Sequence, residues 1–558
     1  MKKTNWFKNA IIYQIYPRSF QDSNGDGMGD IRGIINRLDY LKDLGINCVW
    51  LSPVYSSPQE DNGYDISDYK DIYPPFGTLK DFKEMVDEMH KRGIRLIMDL
   101  VVNHTSSEHR WFEEARKSVD NPYHDYYIWK KGKKNGKLPT NWMGFFGENT
   151  WEYVPECDEY YLHLFAKGQP DLNWENPKVQ EEVKSILKFW LDMGVDGFRC
   201  DVINLISKDP NIRDGHEFLL KGSKQFVNGP RLHEFLHMLN KEVLSKYDCM
   251  TVGETVFTTL EDAKLLTSPE REELDMIFNF DHTNTDNYLG IKWLMRKFKL
   301  VNLKKAFDKW QLGNTTGWNS LFIENHDQRR SVGRFNTSET TYRKESAKML
   351  ATMYFFQKGT PFIYEGQEIG MTNAHFTSLS QYQDTETHSI YKTLKKMHLP
   401  KSYIAKTIPN GSRDNARTPM QWDNTEFAGF SNVKPWLEIN KNKDSINVKE
   451  SIEDKNSILN YYKKMIEIYK DEKDLVDACY KDLLPKHKYL YVYERETNDN
   501  IYLCINNFST RFIKYHIDEK YNAKKTLLLG NYSLIEEQKQ ASTIVLQPFE
   551  TRLYKIKK

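Results

Sequence analysis

The chain of 558 residues carries 79 Lys+Arg against 78 Asp+Glu, a formal net charge of +1, and is 39% hydrophobic. That balance gives no electrostatic footprint for nucleic acid or an anionic membrane, and the length exceeds one ordinary domain. No apolar stretch approaches the roughly 18 residues of a membrane span, and the basic start runs into polar residues rather than a signal-type apolar region, so neither anchor nor leader is expected.

Six cysteines (Cys48, Cys157, Cys200, Cys249, Cys479 and Cys504) lack CxxC spacing, and Cys48, Cys200 and Cys504 fall inside apolar runs. This is the pattern of a reduced, cytoplasmic protein. An aromatic content of 13% suits sugar rings and a large core equally.

Taken in chain order, the first apolar run is "IIYQIY" (11–16), followed by "DSNGDGMGD" (22–30). This loop sets the oxygen donors Asp22, Asn24, Asp26, the Met28 carbonyl and Asp30 at alternating positions, as in a calcium loop. The twelfth position is Gly33 instead of a bidentate Glu, so it is no EF-hand; the alternative is a Gly-rich turn with Asp30 capping the next helix. Ile31, Ile34, Ile35, Leu38 and Leu41 then keep one helical face.

The runs "NCVWLSP" (47–53), "RLIMDLVVNH" (95–104), "DGFRCDVIN" (196–204), "CMTVGET" (249–255), "MIFNF" (276–280), "SLFIENHD" (320–327) and "TPFIYEGQE" (360–368) complete eight candidate strands. Between the third and fourth, residues 105–173 read as an inserted loop domain, with "KKGKKNGK" (130–137) as a solvated hairpin tip. A helix follows with Asn176 as N-cap, Pro177 in its first turn and Gly194 past its end.

A second excursion, 372–430, follows strand eight, and "SILNYYKKMIEIYK" (457–470) is the last helix. The remainder shows strand-like runs between polar turns. The expected fold is α/β: a (β/α)₈ barrel over 1–104 and 174–475, the insertion 105–173, and a C-terminal antiparallel β-sandwich over 476–558.

Such barrels place chemistry at the C-terminal ends of their strands, where this chain has Asp99 with His104, Asp201, Glu254, and Asp327 with His326. Arg199 and Asp201 are two apart and so leave the same face. The arginine is expected to hold the Asp201 pKa down by about one to three units, while partial burial raises that of Glu254. One group is then an anion and the other a proton donor. Any one acid could be a structural ion pair; three at strand ends favour catalysis.

At "DLVVNH" (99–104), "QPDLN" (169–173), "GFRCDVIN" (197–204), "VGET" (252–255), "ENHD" (324–327) and "SRDNARTPMQWD" (412–423) the chain resembles the α-amylase superfamily of glycoside hydrolases, within it the oligo-1,6-glucosidase group. The resemblance spans the full length. It implies Asp201 as nucleophile, Glu254 as general acid and base, and Asp327 as stabiliser. It also implies a sugar pocket of Asp61, Tyr64, His104, Phe145, Phe165, Gln169, Arg199, Val202, His326 and Arg417, with Asp61 and Arg417 closing on one terminal glucose. Val202 is the residue that α-1,6-preferring relatives typically carry. A structural Ca²⁺ or Mg²⁺ at 22–30, and no organic cofactor, are further implications.

The resulting expectation is a retaining, exo-acting α-glucosidase cleaving α-1,6 bonds of short isomalto-oligosaccharides, monomeric, without nucleic-acid or membrane partners. Alternatives are a trehalose-6-phosphate hydrolase, with Arg329 and Arg330 as phosphate-reading cations, an α-1,4-glucosidase or sucrase, and a non-catalytic binding relative. "QRRSVGRF" (328–335) lacks the "RLDRD" of sucrose isomerases, and "YEGQE" departs from the usual "YQGEE".

Overall fold

The computed structural model describes residues 3–134, 136–521 and 525–558. Eight parallel strands close into a barrel: β1 (Ile12–Ile15), β2 (Cys48–Leu51), β3 (Arg95–Leu100), β4 (Gly197–Cys200), β5 (Met250–Glu254), β6 (Met276–Phe278), β7 (Trp318–Leu321) and β8 (Thr360–Tyr364), with β8 returning to β1. The predicted runs are these strands, and the (β/α)₈ expectation holds. In the fourth run regular pairing stops at Cys200.

The pleat sorts the strands into two populations. Ile12, Cys48, Trp50, Ile97, Met250, Val252, Met276, Phe278, Trp318 and Phe362 fill the barrel interior, while their alternates Tyr13, Val49, Leu96, Met98, Phe198, Ile277 and Ile363 pack beneath the helices. Continuing the inward series by twos brings Gln14, Asp99, Arg199, Asp201 and Glu254 to the C-terminal mouth. Register sets Asp99 opposite Arg199 and Val252 on the other side of Arg199. The apolar base thus supports a polar mouth, and Cys200, pointing outward, is simply packed.

The single helical face expected from Ile31 to Leu41 is two helices, Ile31–Asn36 and Leu38–Leu44. They break at Arg37 (φ −109°, ψ 7°), whose Nε donates to Gln21 Oε1 at 2.7 Å and whose guanidinium lies 4.0 Å from the Trp422 ring. The helix Pro177–Asp192 begins as predicted: the Asn176 side chain accepts from Lys178 N, and Gly194 beyond its end takes φ 103°.

Within the insertion, Trp129–Lys130, Glu159–Leu162 and Trp151–Val154 form a three-stranded sheet with Glu159–Leu162 central. Lys133 bridges Lys137 at the hairpin tip; Asn135 lies outside the described residues. The excursion after β8 contains the helices Thr385–Lys396, Lys401–Gly411 and Asp414–Arg417. A hairpin after β6, Asn287–Tyr288 with Ile291–Met295, had no clear sequence signal.

The C-terminal strands β9 (Cys479–Asp482), β10 (Leu490–Glu496), β11 (Asn500–Asn507), β12 (Ile513–His516), β13 (Lys525–Gly530), β14 (Thr543–Leu546) and β15 (Thr551–Lys557) form antiparallel sheets. One has the order β9-β10-β11-β15-β13, and the other pairs β12 with β14. One face of the larger sheet meets the barrel helix Arg343–Phe355, with Tyr493 Oη donating to Met353 O at 3.0 Å. Its other face shares an apolar cluster with the smaller sheet.

Gly197 opens β4 against Met250, and a Cβ there would lie 2.2 Å from the Met250 carbonyl oxygen. Gly197→Ala is therefore expected to lower stability by about 1–3 kcal/mol and to displace the strand that carries Arg199. Chemical denaturation checks this; an unchanged midpoint would contradict the close approach.

Candidate active site

Arg199 is the hub of the barrel mouth. Its Nη1 donates to Asp99 Oδ1 and, at 2.6 Å, to Asp201 Oδ1; its Nη2 donates to Glu254 Oε2 at 2.6 Å. Trp50 Nε1 takes the other Asp99 oxygen at 2.7 Å, and the Val202 N–H reaches Glu254 Oε2 at 3.3 Å. The side chains of Asp201, Glu254 and Asp327 are 8%, 14% and 29% exposed, so Asp201 is the deepest of the three and Asp327 lies toward the rim.

Three carboxyl groups share one guanidinium, and burial wins over attraction. The Asp201 carboxyl is pushed up to about 7 by burial, with Arg199 opposing. This corrects the expectation that Arg199 alone would hold it low: that charge is divided among three acids. Burial raises Glu254 further, to about 8, with the Asp201 charge adding and Arg199 opposing. Burial also raises Asp99, to about 6, against the pull of Arg199. Asp201 thus ionises before Glu254, and the two titrate as an interacting pair.

Asp327 behaves oppositely. Burial would raise it, but His326, Arg413 and Arg417 outweigh burial and hold it far below the usual carboxylate range. Burial pushes the His326 imidazole down to about 3, so at neutral pH the two arginines carry the stabilisation. Arg417 Nη2 donates to Asp327 Oδ1 at 2.7 Å, and Arg413 Nη1 to the same oxygen at 3.5 Å.

A polar wall is built beside the acids. Gln14 Nε2 lies 2.8 Å from His326 Nδ1, and Tyr64 Oη lies 2.7 Å from His326 Nε2, with the two rings stacked at 7°. His104 Nε2 faces the Tyr64 carbonyl oxygen at 3.1 Å and Gln169 Nε2 at 3.2 Å, and that amide reaches Asp61 Oδ2 at 3.4 Å. Phe165 tilts against His104, and Phe145 stacks on Phe165 at 4.9 Å. The structure therefore brings all the predicted sugar-pocket residues into one connected mouth.

Asp61 pairs with Arg413 at 2.9 Å, and Arg417 pairs with Asp327. Arg413 also grips Asp384 with Nε at 2.8 Å and Nη2 at 2.7 Å. The signal for Arg413 was present in "SRDNARTPMQWD", one helical turn before Arg417; Asp384, in the excursion, carried none. Val202, inside the expected strand run 196–204, stands outside the strand at φ 34°, ψ 41°. That left-handed conformation is strained for a β-branched residue. Its side chain packs with Trp142, Trp151, Leu205 and Phe226.

Arg329 and Arg330 are not open cations. Arg330 is fully buried on Glu324 Oε2 at 3.1 Å and the Glu365 carbonyl at 2.7 Å, and Arg329 is paired with Asp286 at 2.5 Å.

In the 22–30 loop, Asp22 accepts the N–H groups of Asn24, Gly25 and Gly27 and the Ser431 hydroxyl. Asn24 and Asp26 accept from Asp26 N and Met28 N, and Asp30 caps Ile31–Asn36 through Gly33 N at 2.7 Å. Among the described residues, no three His, Cys, Asp or Glu side chains are gathered to hold a metal, and no cationic side chain pairs with Asp22, Asp26 or Asp30. The donors are hard oxygens suited to Ca²⁺ or Mg²⁺.

Residues 14–478 match the alpha amylase catalytic domain. The chain is 53% identical over 560 residues to an oligo-1,6-glucosidase of Parageobacillus thermoglucosidasius and 50% identical over 559 residues to one of Bacillus cereus, covering 99% of both partners in each pair. A Bacillus licheniformis trehalose-6-phosphate hydrolase structure superposes with a TM-score of 0.93 at 45% identity, covering 99% of this chain and 100% of that one. With its closed barrel and its clustered acids, the chain belongs to the alpha-amylase family of glycoside hydrolases.

Proposed function

We propose that this enzyme is a retaining, exo-acting α-glucosidase that hydrolyses α-1,6 bonds at the non-reducing end of short isomalto-oligosaccharides. The observation that carries this reading is the single Arg199 guanidinium holding both Asp201 and Glu254. Shared contact keeps the two carboxyls adjacent, as a double displacement needs; retaining enzymes have them about 5–5.5 Å apart. Asp201 attacks the anomeric carbon as Glu254 protonates the departing oxygen. Glu254 then deprotonates the water that releases glucose. Asp327, kept ionised by Arg413 and Arg417, accepts hydrogen bonds from ring hydroxyls and balances the oxocarbenium charge.

The Asp61–Arg413–Asp384 wall supports exo action, because it offers matched charges to the hydroxyls of one terminal ring. The α-1,6 preference draws on the two oligo-1,6-glucosidases named above and on Val202. Trehalose 6-phosphate is the weaker reading: Arg329 and Arg330 are both engaged by acids, leaving no free cation there for a phosphate. Six free cysteines, five of them buried, support a reduced compartment and so a cytoplasmic location. Among the described residues no helix is long and apolar enough to cross a membrane. We also read the enzyme as a monomer that uses no organic cofactor.

A hydrolysis panel of isomaltose, isomaltotriose, maltose, sucrose, trehalose and trehalose 6-phosphate tests the substrate. Isomaltose should be cleaved fastest, and proton NMR should show α-glucose first; faster cleavage of trehalose 6-phosphate, or β-glucose first, would overturn the respective claim. Asp201→Asn should lower kcat roughly a thousandfold or more with the fold retained.

The active form has Asp201 ionised and Glu254 protonated. As pH falls through the lower ionisation, near about 7, the nucleophile is protonated; as pH rises through the upper one, near about 8, the proton donor is lost. The kcat/KM profile should therefore be a narrow bell with its maximum between those values. A profile without an alkaline limb would remove Glu254 from the acid role.

We propose further that the loop 22–30 takes a structural Ca²⁺, or Mg²⁺ in its place, on Asn24, Asp26, the Met28 carbonyl and Asp30, with Asp22 beside it. Support comes from three carboxylates in one loop with no ion-pair partner among the described residues. Chelation should lower the thermal midpoint, and added Ca²⁺ should restore it in the native chain but not in Asp26→Ala. Equal melting with and without chelator would refute the site.

A further inference from the structure

A groove of about 720 Å³ lies between the helices Thr385–Lys396 and Lys401–Gly411 and the segment 376–382. Its volume is that of a small-molecule site. Phe376, Tyr382, Leu399, Ile404 and Ile408 provide an apolar lining, and Lys395 and Lys401 also line it. From Thr387 to Gly411 the chain carries five lysines (Lys392, Lys395, Lys396, Lys401 and Lys406) and no acid, although the whole chain has a net charge of only +1. Both lining lysines are exposed, and among the described residues neither carries an ion pair. Lys401 also opens its helix, where the backbone dipole adds positive potential.

The groove is tied to the sugar pocket by covalent and hydrogen-bonded links. Asp384 caps the first helix, and the second runs directly into Ser412 and Arg413. Thr387 Oγ1 donates to Ser412 Oγ at 2.8 Å, and Asp414 Oδ2 accepts from the backbone N–H groups of Gln383 at 2.7 Å and Asp384 at 3.0 Å. Tyr382, two residues before Asp384, is part of the groove wall and has a buried hydroxyl with no hydrogen-bond partner. A body wedged against Tyr382 would press on the segment that orients Asp384 and Arg413, and through them Asp61.

We propose that this groove binds a small amphiphilic anion, an apolar body bearing one carboxylate, sulfonate or phosphate group, and that its occupancy weakens sugar binding. The coupling rests on Asp61 and Arg413 holding the sugar; the binding does not. Apolar burial supplies affinity, and the unpaired lysines select the charge.

Calorimetric titration of dodecanoate into the full-length enzyme, with anilinonaphthalene sulfonate fluorescence as a second probe, tests both parts. One-site binding that weakens with salt is expected, with dodecanol binding less. The double variant Lys395→Glu/Lys401→Glu should lose about tenfold or more in affinity, equivalent to about 1.4 kcal/mol, and Ala405→Trp should fill the groove. The double lysine variant should keep wild-type hydrolysis without ligand, and dodecanoate should raise KM for the preferred sugar in the wild type alone. Absence of binding, or binding that neither variant changes, would overturn the site. Binding that leaves KM unmoved would overturn the coupling. Attachment to phosphatidylglycerol vesicles without binding of monomeric dodecanoate would make the face a membrane contact and overturn the small-ligand proposal. A different preferred sugar in the hydrolysis panel would change the proposed substrate while leaving the titration intact.

Discussion

The mouth of this barrel depends on one guanidinium that cannot satisfy everything around it. Arg199 reaches Asp99, Asp201 and Glu254 together, and its Nε has no hydrogen-bond partner. One positive charge among three buried acids leaves an excess of negative charge, and buried charge is costly. The cluster responds by holding protons at a pH where isolated carboxyls would have lost them. A retained proton on Glu254 and an ion on Asp201 are what acid-assisted nucleophilic attack requires. Catalytic readiness is therefore a result of burial that one guanidinium only partly offsets. Arg199 also lies 5.3 Å from the Trp50 ring and 5.7 Å from that of Tyr64, so the hub is fixed by packing as well as by its ion pairs.

Asp327 shows the complementary solution. Two arginines serve one carboxylate there, and the group stays ionised. Arg413 and Arg417 flank a short helix one turn apart, so both guanidiniums reach the same side. The contrast between one guanidinium shared by three acids and two guanidiniums converging on Asp327 separates a proton-exchanging pair from a fixed anion within the same pocket. Arg413 extends the second arrangement to Asp61 and Asp384, which links the excursion after β8 to the wall that receives the sugar.

The barrel was legible in the sequence because its strands must be apolar on two faces, and charged side chains interrupt that rule only near the strand ends. The same alternation set Arg199 and Asp201 on one face. What could not be read was how many partners each charge would meet. Arg199 two residues from Asp201 looks like a pair, and only closure of the barrel adds Asp99 and Glu254 to it and buries Asp201, the burial reversing the direction of the Asp201 shift. Arg413 lies one helical turn before the expected Arg417 in the same motif, and only the folded chain shows that Arg413 is the one that pairs with Asp61. Local propensity failed at Val202, where the turn required after β4 overrides the β preference of valine.

That failure is informative about how the mouth is assembled. Val202 follows Asp201 in the chain, offers its N–H to Glu254, and sets its side chain among Trp142, Trp151 and Phe226. A relaxed backbone there would carry the N–H away from Glu254 and withdraw the side chain from the insertion's aromatic cluster. The conformational strain, of order 1–3 kcal/mol, is offset by apolar packing on Trp142 and Trp151, more than fifty positions earlier in sequence, and on Phe226, later in the chain. The insertion thus does more than cover the barrel: it holds in place the turn on which nucleophile and proton donor meet.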